Sequence, residues 1–172
     1  MSTIVVADAG PLIALARIER LSLLASLYGP VIVPEIVLSE LRLGLDRPGA
    51  RVLADAVAQG DIRSHPLPPD DEVDFAQLSL VLDAGESAAI VLAQTLPSRF
   101  LLIDERRGRA IARRRAIPVV GLAGVLLAAK QRGRLDAVEP VLRALSQQGY
   151  RLSDALVAEV LRLAGETPNQ KA

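Results

Sequence analysis

The 172-residue chain balances 20 lysines and arginines against 20 aspartates and glutamates, so its net charge favours neither a polyanionic nor a cationic partner, and any nucleic-acid contact must be local. Hydrophobic residues make up 51% and aromatics 2%, enough for one full core of Leu, Val, Ile and Ala but too few rings for a base-stacking platform. Cysteine is absent, which excludes disulfides, thiolate nucleophiles and cysteine-bound zinc and is compatible with a reducing compartment.

Short apolar runs alternate with helical patterns along the chain. Ile4-Val5-Val6-Ala7 reads as a strand, with no basic segment and apolar secretion core ahead of it. Helical segments follow near Pro11 to Leu27, then a strand at Val31 to Val33 and a helix from Pro34 to about Leu43. An amphipathic stretch from Arg51 to Ala58 leads to a weak strand at Ile62 to Ser64, and the prolines between His65 and Asp71 mark a loop. Helical patterns at Glu72 to Leu82 and Glu86 to Leu96 flank Asp83-Ala84-Gly85, in which Asp83 reads as a turn or cap residue. Phe100-Leu101-Leu102-Ile103 forms a buried strand ending at Asp104, followed by an arginine-rich helix to about Arg115 and a short last strand at Pro118-Val119-Val120. Leu122 to Arg132 reads as a helix that Gly133 terminates, and Asp136 to Gln148 and Ser153 to Ala164 add two more, the last with Ser153 as N-cap.

This alternation predicts an α/β protein, a three-layer α/β/α fold with a central parallel sheet of about four to five strands and a C-terminal helical appendage from about residue 134. One domain is expected over residues 1–166, with residues 167–172 frayed. The longest greasy stretch, near Val119 to Ala129, is broken by Gly121 and Gly124 and is too short to span a bilayer, so a soluble cytoplasmic protein without membrane contact is expected.

Four acids stand out from this layout. Asp8 and Asp104 each end a strand-like run, and in an open parallel sheet the carboxyl edge is where sites form. Either could instead cap the helix that follows it. On the helix after Pro34, Glu40 falls amid the apolar side with Ile36, Val37 and Leu41, where a carboxylate is costly unless paired or metal-bound. Glu86 opens a helix, where the dipole favours an acid, yet it shares a face with Ala89, Ile90 and Ala93, small neighbours that allow close approach to the sheet. Four such acids in one crevice would raise one another's pKa unless a divalent cation neutralised them, and oxygen-only ligation suits Mg²⁺ or Mn²⁺. Arg106, Arg109 and Arg113 fall on one helical face directly after Asp104, as a phosphate-binding stripe or a solvated face.

Other chemistries lack their residues. No phosphate loop, dinucleotide fingerprint or serine elbow is present, and His65, the sole histidine, lies in the proline-rich loop. A phosphoacceptor module would need a lysine after the last strand, where Val119-Val120-Gly121 offers none.

The segments Val-Val-Ala-Asp-Ala-Gly-Pro-Leu-Ile-Ala-Leu, Val-Pro-Glu-Ile-Val-Leu-Ser-Glu-Leu, Asp-Ala-Gly-Glu-Ser-Ala-Ala-Ile and Leu-Leu-Ile-Asp-Glu-Arg-Arg-Gly-Arg-Ala-Ile-Ala, in this order and spacing, resemble a PIN domain. More narrowly, with Val-Val-Gly-Leu-Ala-Gly-Val-Leu and a tail ending Leu-Arg-Leu-Ala-Gly-Glu, the chain resembles the PIN-like branch of VapC-type toxins. The resemblance implies a PIN-like fold and a metal-dependent endoribonuclease, the toxin half of a type II toxin/antitoxin pair. It further implies a homodimer that acts on RNA and is inhibited by a small antitoxin protein. It assigns Asp8, Glu40, Glu86 and Asp104 to the acidic quartet that binds one or two Mg²⁺ or Mn²⁺ ions, with Arg106, Arg109 and Arg113 positioning phosphates. Glu86 stands where many members have Asp, and Ala9-Gly10 where relatives often carry a hydroxyl residue. That second departure motivates an alternative, a catalytically degenerate PIN-like module that binds protein or RNA.

Overall fold

A computed structural model describes residues 4–166. Five strands, β1 (Val5–Ala7), β2 (Val31–Pro34), β3 (Ile62–His65), β4 (Phe100–Leu102) and β5 (Val119–Val120), form one parallel sheet in the order β3-β2-β1-β4-β5. From β1 the chain winds outward through β2 and β3, then crosses to the other side for β4 and β5. The strand order therefore reverses between β1 and β4, and a crevice forms at their carboxyl ends. Ala7 pairs with Leu102, and the Asp8 N–H donates to the Leu102 carbonyl at 3.0 Å, which sets the ends of β1 and β4 side by side.

Among the described residues, ten helices cover the two faces: α1 (Ala9–Arg17), α2 (Ser22–Tyr28), α3 (Glu35–Glu40), α4 (Ala50–Gln59), α5 (Glu72–Leu78), α6 (Ala84–Thr95), α7 (Arg106–Arg114), α8 (Leu122–Gln131), α9 (Glu139–Gln147) and α10 (Asp154–Leu163). Side chains alternate across a strand, so Val5 and Ala7 join one core with Leu12, Leu24, Leu53, Leu126 and Leu145, while Val6 joins the other with Ile90, Leu92, Leu101 and Ile103. Burial on both faces explains why β1 and β4 read as unbroken apolar runs. The result is the expected α/β/α sandwich.

Several boundaries differ from the sequence pattern. The helical segments expected near Pro11 to Leu27 are α1 and α2, parted by Glu19 in left-handed backbone, with α1 starting two residues earlier at Ala9. The helix expected to reach about Leu43 ends at Glu40, followed by left-handed Arg42. The pattern to Leu82 stops as helix at Leu78, behind a single 3₁₀ turn at Pro69–Asp71. His65 ends β3, opposite Pro34, rather than lying in the loop. The C-terminal helices are more than an appendage, because Val141, Leu142, Leu145, Val160 and Leu161 are buried in the same core as α8. Glu166 ties this unit down by accepting hydrogen bonds from Lys130 Nζ and from the Val138 and Glu139 N–H groups at the start of α9. The fraying expected at 167–172 lies outside the described residues. Among the described residues, no helix is long and apolar enough to cross a membrane.

Candidate active site

Asp8 follows β1 directly and is 8% exposed. It stands at the N-cap of α1, yet its side chain makes no capping hydrogen bond. Burial pushes its carboxyl up to about 6, the fields of Asp83 and Asp104 push the same way, and the Ala9 and Gly10 N–H groups offset part of the rise.

Asp104, half-buried, does not cap the helix that follows it. Glu105 does, accepting from the Gly108 N–H at 2.6 Å. The Asp104 carboxylate instead accepts the first N–H of α8, from Leu122, at 3.1 and 3.2 Å to its two oxygens, together with the Tyr150 hydroxyl. Gly121 allows this approach, since a Cβ there would lie 2.7 Å from Asp104 Oδ1 and 2.8 Å from Arg109 Nη1. Arg109 in turn donates to the Ile103 carbonyl at 2.8 Å, which holds its guanidinium beside the site.

Glu86, in the first turn of α6, is 7% exposed. The small residues Gly85, Ala88, Ala89 and Ala93 are buried with it, as the close packing of α6 on the sheet requires. Burial first, then Asp83, Glu105 and Asp8, push its carboxyl up to about 7. Glu40, the last residue of α3, is half-buried rather than buried, because α3 ends there instead of carrying it deeper. Its carboxyl is also raised, by burial and then by Asp83 and Asp8. It packs against Gly85, where an added Cβ would fall 2.3 Å from Oε2.

Asp8 feels the charge of Asp104, and Glu40 and Glu86 feel that of Asp8, so the four acids act on one another through Asp8. Sequence reasoning missed one further acid. Asp83 does cap α6, accepting the Glu86 N–H at 2.7 Å, but it is also the leading charge felt by Asp8, Glu40 and Glu86. Its signal was its place three residues ahead of Glu86. Tyr150 had no comparable signal.

Among the described residues no ion pair reaches Asp8, Glu40 or Glu86, while the Arg109 guanidinium is attracted by the charge of Asp104. The ion pairs among the described residues are Arg115–Asp74, Lys130–Glu166, Arg143–Glu139 and Arg162–Glu159, all away from the cluster. The donor set, all carboxylate oxygen, suits a hard divalent cation. Among the described residues, no three such groups stand close enough as posed to share one ion, so a common ion requires side-chain rotation.

Next to Asp104 opens a groove of about 670 Å³, lined by Arg106, Arg109, Arg113 and Arg151, with Tyr150 and Leu156 among its other walls. The arginine stripe of α7 therefore faces a groove that starts at an acidic residue of the cluster.

The raised carboxyls fix the sign of a pH dependence. Because folding favours their neutral forms, their contribution is full below about pH 4 and is lost as pH rises through about 6 to 7. Asp74, held low by its hydrogen bond from Arg115, acts oppositely, but only toward lower pH. The thermal midpoint of the cation-free protein is expected to fall between about pH 5 and about pH 7.5, and millimolar Mn²⁺ to reverse the fall. A midpoint that rises across this interval without cation would contradict the electrostatics.

A family model described as a PIN domain matches residues 4–166 of the chain. No curated protein matches it.

Proposed function

The chain belongs to the PIN-domain family, whose members are generally nucleases, and from that premise we propose that it is a metal-dependent endoribonuclease that hydrolyses RNA phosphodiester bonds. The observation that carries this reading is the group of acids around Asp8, of which Asp8, Glu40 and Glu86 have no ion-pair partner among the described residues, opening beside Asp104 into a groove lined by arginines. Asp8, Glu40, Glu86 and Asp104 would hold Mg²⁺ or Mn²⁺. A cation so held supplies charge neutralisation at the scissile phosphate and a lowered pKa for attacking water. The chain's own groups do the rest. Arg106, Arg109 and Arg113 bind backbone phosphates, Arg109 with its guanidinium tethered to Ile103 so that less freedom is lost on binding. The Leu122 N–H donates to the Asp104 carboxylate.

The same reading makes the protein the toxin of a type II toxin/antitoxin pair, a cytoplasmic homodimer held inactive by a small antitoxin. The alternative, a catalytically degenerate module binding protein or RNA, is favoured by Ala9-Gly10 beside Asp8 and by carboxylates that do not converge on one point as posed. Tight Mn²⁺ binding without turnover of any RNA would select it.

The test is cleavage of a mixed RNA pool with Mn²⁺ or Mg²⁺, which excess chelator must abolish; cleavage that persists in chelator would overturn the assignment. In the same assay the Arg106→Ala/Arg113→Ala double variant is expected to raise KM about tenfold with kcat little changed, because phosphate contacts bind ground and transition states alike. The salt dependence of RNA binding should flatten by roughly 0.7 in log–log slope for each arginine removed. An unchanged slope would place the RNA elsewhere.

A further inference from the structure

The nuclease reading leaves Tyr150 without a part, although its hydroxyl contacts the site directly. The tyrosine lies 46 residues beyond Asp104, in the turn between α9 and α10. That turn is rigidly built. α9 ends at Gln147, Gly149 adopts a left-handed φ of 81°, and the Gly149 and Tyr150 N–H groups donate back to the Ser146 and Leu145 carbonyls at 3.0 Å each. This paired closure satisfies the last carbonyls of α9 and fixes the Tyr150 backbone. The ring is half-buried against the core that also holds Leu145. It lies between two hollows, the arginine groove on one side and a smaller one lined by Gly10, Ala14 and Arg17 of α1 on the other.

The Asp104 carboxylate has two donors. One is the Leu122 N–H, shared between both oxygens at 3.1 and 3.2 Å, which leaves rotation of the carboxylate weakly held. The other is the Tyr150 O–H, which donates to Oδ2 alone and so, unlike the shared Leu122 N–H, singles out one oxygen. A residue whose backbone is fixed at the end of α9 thus sets one Asp104 oxygen apart from the other. It does so from the turn between α9 and α10, which lines the same groove as α7.

We propose that Tyr150 is a positioning residue that orients the Asp104 carboxylate for divalent-cation binding, so that the C-terminal helices complete the site. The inference rests on the nuclease reading. Tyr150→Phe keeps the ring in the core and removes only the donor. With the fold checked by circular dichroism, the variant is expected to bind Mn²⁺ about tenfold or more weakly than the wild type by calorimetry.

A spectroscopic arm addresses the contact itself. The chain has two tyrosines and no tryptophan, so in a Tyr28→Phe protein the tyrosine emission comes from Tyr150 alone. A phenol hydrogen-bonded to a carboxylate is quenched, and Asp104→Asn in that background is expected to brighten the emission. Equal Mn²⁺ affinity for Tyr150→Phe and wild type would overturn the inference while leaving the nuclease reading intact, as would tighter binding by the variant or unchanged emission in Asp104→Asn. A wild type that binds no Mn²⁺ at millimolar concentration would overturn the nuclease reading itself.

Discussion

Asp8→Asn is expected to lower RNA cleavage by about a thousandfold or more and, in the same protein, to raise the thermal midpoint at pH 7. The two effects have one cause. Asp8 is buried at the end of β1, and burial together with the fields of Asp83 and Asp104 lifts its carboxyl from 3.8 to about 6. At pH 7 the fold must hold a charge that it disfavours, at a cost of at most about 3 kcal/mol for a rise of that size. Asparagine keeps the shape and removes the charge, so a gain of about 1–3 kcal/mol, several degrees in a chain of this length, is expected without cation. The same change removes the acid through which the four act on one another. Cleavage that survives it would sink the assigned site, and a lowered midpoint would contradict the electrostatic account.

Gly85→Ala is the second variant in which stability and activity should part. The Glu40 carboxylate occupies the space a Cβ would need, with Oε1 at 2.7 Å and Oε2 at 2.3 Å. The obstructing group is the tip of a flexible side chain, so Glu40 swings away and the backbone stays. Alanine favours the helix over glycine by up to about 1 kcal/mol, and no left-handed backbone at Gly85 opposes it. The folded protein is therefore expected to be as stable as the wild type or slightly more so. Cleavage under single-turnover conditions should fall about a hundredfold, the usual result of displacing a working group by about 1 Å. A wild-type rate would show that Glu40 takes no part in the reaction.

Much of this arrangement was legible in the sequence because it rests on local patterns. β1 and β4 are buried on both faces and so read as plain apolar runs, which put Asp8 and Asp104 at strand ends before their adjacency was visible. The spacing of Arg106, Arg109 and Arg113 placed them on one face of α7, and they line one groove. The helical pattern around Glu40 gave its direction but not its depth, which depends on where α3 ends.

What was not legible depends on contacts between distant segments. Asp83 was adequately explained as a cap, and its second effect arises only because the start of α6 faces Asp8. Arg151 and Tyr150 reach the site through the packing of α10 against α8 and the burial of α9 in the same core, which no periodicity near residue 150 announces. Asp104 was open to a capping reading, and it does hold a helix N-terminus, though that of α8 rather than of the helix next to it.

In the nuclease reading the acids around Asp8 share a divalent cation. Anomalous diffraction from crystals soaked in Mn²⁺ is the decisive experiment. One or two anomalous peaks are expected in the crevice, within coordination distance of Asp8 and Asp104, with Glu40 or Glu86 turned toward them. Crystals that take up Mn²⁺ elsewhere but show no peak between Asp8 and Asp104 would contradict that reading.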